Sequence, residues 1–305
     1  MNARLGRSAL ALVARLLCTQ VASADPAAPT QNPRPRHHAR WDAAWPHSNA
    51  WDYTLAGVGS AGGIFELTVL QPIRPPLRWS EPVLFDADVR SALRVADAST
   101  RSGLEDVAWG IWVAQMALPV LVDVPFAWAK DGFWLARDLF WQDVVTLTIA
   151  GAIDGVLRDV GGRARPDIYD CLAQGGGDKC LTGVDSTRSF PGGHLANSAA
   201  AAGLVCTQHL YTRLYGGPWD GITCVSTIMA SVTLGMFRIM SDNHWATDQL
   251  VGGAIGGLIG WGIPFAMHFH GHRPDADAGK PPTSMVLPMP MTFDHGGGLG
   301  VTGLF

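Results

Sequence analysis

The sequence predicts an all-α protein: a bundle of about six apolar helices, membrane-associated, with its active site at one end. Three observations carry this expectation. Apolar stretches recur at 53–72, 106–128, 139–157, 194–214, 221–240 and 245–268, each the length of a helix rather than a strand. Apolar residues make up 48% of the 305, and charged residues only 16%, against about 25% in an ordinary soluble domain. The histidines and arginines best suited to chemistry gather at the ends of these stretches. The formal net charge is -4 with no basic stripe, so a nucleic-acid partner is not expected.

In chain order, residues 1–24 predict a signal peptide. "MNARLGR" is basic, "SALALVARLLCTQV" is a short apolar region, and Ala22-Ser23-Ala24 is a cleavage pattern. Arg15 interrupts the apolar region, so an amphipathic N-terminal helix is the alternative. Residues 25–50 form a proline-rich arm, expected to be a linker. Its His37 and His38 are a metal-capable pair that reads better as solvated. Residues 51–272 form the helical domain. Its last stretch, "LVGGAIGGLIGWGIPFAMHF", carries no Asp, Glu, Lys or Arg and matches a spanning helix in length. Glu66, Asp123, Asp143, Asp154 and His209 fall inside stretches and are expected to face the bundle interior, because ionisable groups are costly in lipid. The tail, 273–305, is Pro/Gly-rich, and its "LGVTGLF" ending alternates like a strand. With Cys18 in the leader, four cysteines remain. Cys171 and Cys180 flank a glycine-rich loop and are the expected disulfide. Cys206 and Cys224 sit in apolar stretches and read as buried thiols.

Three stretches carry the chemistry. "RDVGGRARPDIYD" places Arg158, Arg163 and Arg165 at the end of the third stretch; a basic flank of a membrane helix looks the same. "SFPGGH" opens the fourth stretch. Pro191-Gly192-Gly193-His194 is either a plain helix start or an anion seat, since glycines admit backbone N–H groups to a ligand and a helix N-terminus favours negative charge. "FRIMSDNHWATDQ" joins the fifth and sixth stretches and spaces Arg238, His244 and Asp248 as R-x5-H-x3-D. If helical from 244, His244 and Asp248 share a face, and a carboxylate beside a histidine fixes its tautomer. In a bundle with short connections these three ends fall on one side. Clustered arginines at a helix N-terminus suit a phosphate dianion, and the chemistry implied is phosphoryl transfer without a metal or other cofactor.

Arg158-x6-Arg165-Pro166, then Pro191-Gly192-Gly193-His194, then Arg238-x5-His244-x3-Asp248 resembles the signature of the type 2 phosphatidic acid phosphatase superfamily, which includes the class A acid phosphatases and vanadium haloperoxidases. Its pattern is K-x6-R-P, P-S-G-H and S-R-x5-H-x3-D. The resemblance implies His244 as a nucleophile forming a phosphohistidine, Asp248 as its orienting carboxylate and His194 as the acid for the leaving group. It implies Arg158, Arg165, Arg238, Gly192 and Gly193 as phosphate-binding. Arg158 departs from lysine, Gly192 from serine and Phe237 from serine. The Gly192 departure removes one hydroxyl donor to phosphate, worth about 1 kcal/mol unless something replaces it.

The reading favoured is a hydrolase of phosphate monoesters, lipid phosphate or diphosphate first, with a small phosphorylated molecule as the other substrate class. A vanadate-dependent haloperoxidase and a non-catalytic phosphate-binding envelope protein are the alternatives. The location expected is a bacterial cell envelope, with a periplasm-facing site on a membrane-associated bundle, or a soluble periplasmic bundle. One conflict stands. A cleaved leader followed by three crossings puts residue 158 in the cytoplasm, whereas Cys171 and Cys180 want an oxidising space. Five arginines between residues 74 and 101 also fit poorly outside a membrane.

Overall fold

The computed structural model describes residues 39–270, 285–293 and 296–304. The leader, most of the proline-rich arm and His37 and His38 lie outside them. The described chain is predominantly helical. Helix α1, Ala50–Phe65, runs on as a π-turn, Glu66–Leu70. A short α2 is Asp86–Leu93. Helix α3, Ala98–Leu118, passes through a π-turn, Pro119–Asp123, into α4, Val124–Asp131. Gly132, at φ 93, turns the chain back into α5, Phe133–Gly161. Then come α6, Pro166–Ala173, α7, Gly193–Thr212, α8, Trp219–Met240, and α9, Ala246–Pro264, with its π-turn Phe265–Phe269. Strands β1, Met285–Phe293, and β2, Gly296–Leu304, form an antiparallel hairpin, so the strand expected at the C-terminal end has a partner.

All six apolar stretches are helical. The third begins earlier than expected, at Phe133 rather than 139, because the charges that marked its start are neutralised. Asp138 is buried and accepts from Ser48 N–H at 3.0 Å, with His47 Nδ1 at 2.5 Å and Arg137 at 2.7 Å. These contacts also correct the arm. From residue 39 it is packed rather than a linker. Trp45 is buried, Trp41 and Trp45 pack edge-on against Phe269, and Arg40 N–H donates to Thr212 O at 2.6 Å.

Small residues let the helices approach. α7 and α9 run parallel with backbones nearly touching. A Cβ on Gly256 or Gly260 would strike the Ala196 or Ala200 carbonyl, and one on Gly203 would lie 2.9 Å from Trp261 N. This is the close small-residue packing of apolar bundles. α1 lies along α5 in the same way, Gly62 against Ala152. α7 is central, touching α3, α5, α8 and α9.

Among the described residues, four helical stretches are long and apolar enough to cross a membrane: Ala50–Leu70, Ala98–Asp131, Trp219–Met240 and Ala246–Phe269. Val58, Trp109, Leu121, Leu258 and Trp261 are exposed on them. The ionisable residues within the stretches face inward as expected: Glu66, Asp123, Asp143, Asp154 and His209 are all buried. Gln208 donates to Asp143 at 2.8 Å, and His209 Nδ1 lies 2.7 Å from Asp220. Cys171 and Cys180 form the expected disulfide. Cys206 and Cys224 are not thiols: they form a second disulfide between α7 and α8. These helices pack side by side, which a reading of each stretch alone could not show.

Candidate active site

The C-terminal ends of α1, α5 and α8 and the N-terminal ends of α3, α7 and α9 share one end of the bundle. Arg158 sits in the last turn of α5, and Arg165 is the N-cap of α6. Gly192 caps α7, followed by Gly193 and His194, after a cis Phe190–Pro191 bond. Arg238 lies in the last turn of α8. His244 stands in the turn before α9, and Asp248 in its first turn. The structure brings the predicted residues together. His194 feels the charges of Arg238, Arg158 and Arg165, and His244 feels Arg238, Arg165 and His194. Burial, then these arginines, push both histidines well below the usual histidine range. Both are therefore neutral at pH 7 with no anion present.

The relation between His244 and Asp248 differs from the expected one. His244 precedes the helix, so the two do not share a helical face. His244 Nδ1 bonds the Ser189 carbonyl at 2.8 Å, while Asp248 Oδ2 is 3.9 Å away. A carbonyl only accepts, so Nδ1 carries the hydrogen and Nε2 keeps its lone pair. Asp248 acts one step back. It accepts from Ser189 Oγ at 2.5 Å and Trp245 N–H at 3.0 Å, and its other oxygen pairs with Arg163 at 2.5 Å.

Arg163 is thus a fixture of the frame, not of the phosphate seat. It is fully buried, bonds Asp86 at 2.6 Å and Thr247 Oγ1 at 2.9 Å, and stacks between Trp79 and Trp245. Sequence reasoning counted Arg163 in a basic run and gave Ser189 and Asp86 no role. Their partners lie 59 to 161 residues away, and no local spacing carries that.

Each clamp arginine is held by a carboxylate on a neighbouring element or its own helix. Arg158 pairs with Glu66 and with Asp154, both at 3.2 Å. Arg238, almost wholly buried, pairs with Glu105 at 3.1 Å. Arg165 pairs with Asp185 at 3.7 Å and donates to Asn243 at 3.1 Å. The buried Nε atoms of Arg165 and Arg238 have no hydrogen-bond partner, leaving donors for an anion. Gly193 is required sterically, since a Cβ there would lie 2.6 Å from Asp154 Oδ2 and 3.2 Å from Arg158. Trp112 meets His194 edge-on at 5.6 Å. Among the described residues, no cluster of three or more His, Cys, Asp or Glu could hold a metal ion.

Three of the five arginines of 74–101 have partners at this end of the bundle. Arg90 bonds Asp170 and Asp242, Arg94 pairs with Asp242 at 2.8 Å, and Arg74 donates to Leu181 O. Arg90 and Arg94 tie α2 to α6 and to the segment between α8 and α9, and their charge is matched by Asp170 and Asp242.

Residues 140–275 match the model of the PAP2 superfamily. This segment is similar to the PAP2 superfamily. The match begins within α5 and covers all three motifs. A protein named lipid A 1-phosphatase from Rhizobium etli is 25% identical over 215 residues, 60% of this chain and 82% of that protein. One of the same name from Porphyromonas gingivalis is 39% identical over 77 residues, 25% of this chain and 15% of that protein. No solved structure matches.

Proposed function

We propose that this protein is a phosphatase of membrane lipid phosphates that works through a phosphohistidine on His244. The observation that carries the reading is the state of His244. Its Nδ1 hydrogen is committed to Ser189 O, its ring is neutral, and Nε2 is left as a nucleophile beside Arg165 and Arg238. The two relatives named lipid A 1-phosphatase and four helices able to cross a membrane support a lipid substrate, and lipid A is the first to try.

A phosphate dianion would sit at the N-terminus of α7, among Arg158, Arg165 and Arg238 and the Gly193 N–H. Nε2 of His244 attacks phosphorus, and the bond to the ester oxygen breaks. Burial and then the arginine charge keep His194 neutral without an anion; the bound dianion offsets that charge, so His194 takes up a proton from solvent and gives it to that oxygen. His194 then takes a proton from water, the water attacks the phosphohistidine, and inorganic phosphate leaves. The arginines supply the charge stabilisation that a metal would otherwise provide. The disulfide Cys171–Cys180 beside this end favours a periplasm-facing site.

The test is phosphate release by purified protein in detergent with EDTA, from lipid A, phosphatidate, isoprenyl diphosphate and p-nitrophenyl phosphate. Release that survives EDTA and falls by at least about 10³-fold in His244→Ala is the expected result. No release from any ester sinks the reading.

A further inference from the structure

The Gly192 departure leaves the phosphate seat one hydroxyl short, and the structure shows what occupies the space. A Cβ built on Gly192 would lie 2.7 Å from Gln249 Nε2 and 2.9 Å from its Oε1. The Gln249 amide therefore fills the volume that a serine side chain at 192 would need. Gln249 follows Asp248 in the first turn of α9. That turn is stitched to the Pro191-Gly192-Gly193 turn by Gly192 N–H donating to Asp248 O at 2.9 Å. Gln249 is 2% exposed, and neither end of its amide has a hydrogen-bond partner. A buried primary amide with every valence open is costly unless something binds it.

We propose that Gln249 takes the place of the absent serine, its Nε2 donating to an oxygen of the phosphate seated at Gly193. Gly192 and Gln249 are then one unit. Glycine at 192 is what admits the amide, and the amide is what restores the donor. The proposal rests on the phosphatase reading for the identity of the anion. Its test is a binding measurement, so the two can fail separately.

The probe is inorganic phosphate, titrated calorimetrically into the full-length protein in detergent. It is run alongside kcat/KM on phosphatidate and on p-nitrophenyl phosphate. Gln249→Leu keeps the volume and removes the donor; it should weaken phosphate binding roughly 10-fold and lower kcat/KM on both esters alike. Gln249→Asn withdraws the donor by one methylene and should lose affinity without loss of fold, so it carries the test if the leucine variant does not fold. Gly192→Ser alone should collide with Gln249 and bind phosphate poorly. Gly192→Ser with Gln249→Ala should return to within about threefold of wild type. The proposal is overturned if Gln249→Asn binds phosphate like wild type, or if the double variant is no better than Gly192→Ser. It is also overturned if the loss is confined to phosphatidate. That result would assign Gln249 to the apolar groove of about 480 Å³ that it lines with Leu195, Gly253 and Gly257. Wild type that binds phosphate but hydrolyses no ester ends the phosphatase reading and leaves this test standing. Wild type that binds no phosphate ends both.

Discussion

A histidine can attack phosphorus only while it is neutral, and His244 is held neutral by burial and by Arg238 and Arg165. Its folded pKa lies well below the ordinary 6.5, so the proposed nucleophile stays neutral as the pH falls through 6.5. The acid limb of kcat/KM should therefore fall well below pH 6.5, as a pH profile on a water-soluble ester would show; a limb at 6.5 would mean that His244 is not so held. Glu105 is half-exposed and rests on Arg238, where an incoming phosphate must compete with it. Glu105→Gln should tighten inhibition by inorganic phosphate about two- to fivefold at low salt, the worth of a part-exposed pair, and the gain should shrink as salt rises. The motif residues were legible because their spacing survives in the chain: Arg238, His244 and Asp248 fall within eleven positions. The order of contact was not. Asp248 reaches His244 through Ser189, and Arg163 belongs to the frame, because both depend on partners from elements that only the fold brings near.

Among the elements, the parallel pair α7 and α9 sets the site. Gly192, Gly193 and His194 open one, and His244 and Asp248 flank the start of the other, so any separation of the two helices pulls the proposed nucleophile from the proposed acid. Gly256→Leu must push its side chain into the Ala196 carbonyl. The expected result is loss of the folded protein, read as a collapsed monodisperse yield in detergent. Gly257→Leu, one residue on, meets nothing within 4 Å and should fold normally. The long helices were legible from hydropathy alone. α2 and α6 were not, at eight residues each, since they are too short to stand out as apolar stretches. The start of α5 was misplaced because Arg137 and Asp138 look like a solvated end until the packed arm supplies His47 and Ser48.

At the scale of the molecule, two disulfides fasten the two halves of the site domain. Cys171–Cys180 closes the segment before α7, and Cys206–Cys224 joins α7 to α8 across 18 residues. A loop of that size contributes about 3 kcal/mol by restricting the unfolded chain. Cys206→Ser with Cys224→Ser should lower the thermal midpoint measurably while leaving phosphate affinity nearly intact, because neither residue approaches the arginines. The pairing of these two cysteines was beyond the sequence: they lie in separate helices, and only the antiparallel packing of α7 on α8 makes them neighbours. The arm has a practical consequence. It packs on Phe269 and on the end of α7 at Thr212, so the chain enters the bundle at residue 39 and leaves it at residue 270 through the same end, opposite the catalytic mouth. Labels placed at residues 39 and 270 of a membrane-inserted protein should therefore report the same compartment, and neither should obstruct a lipid approaching His194.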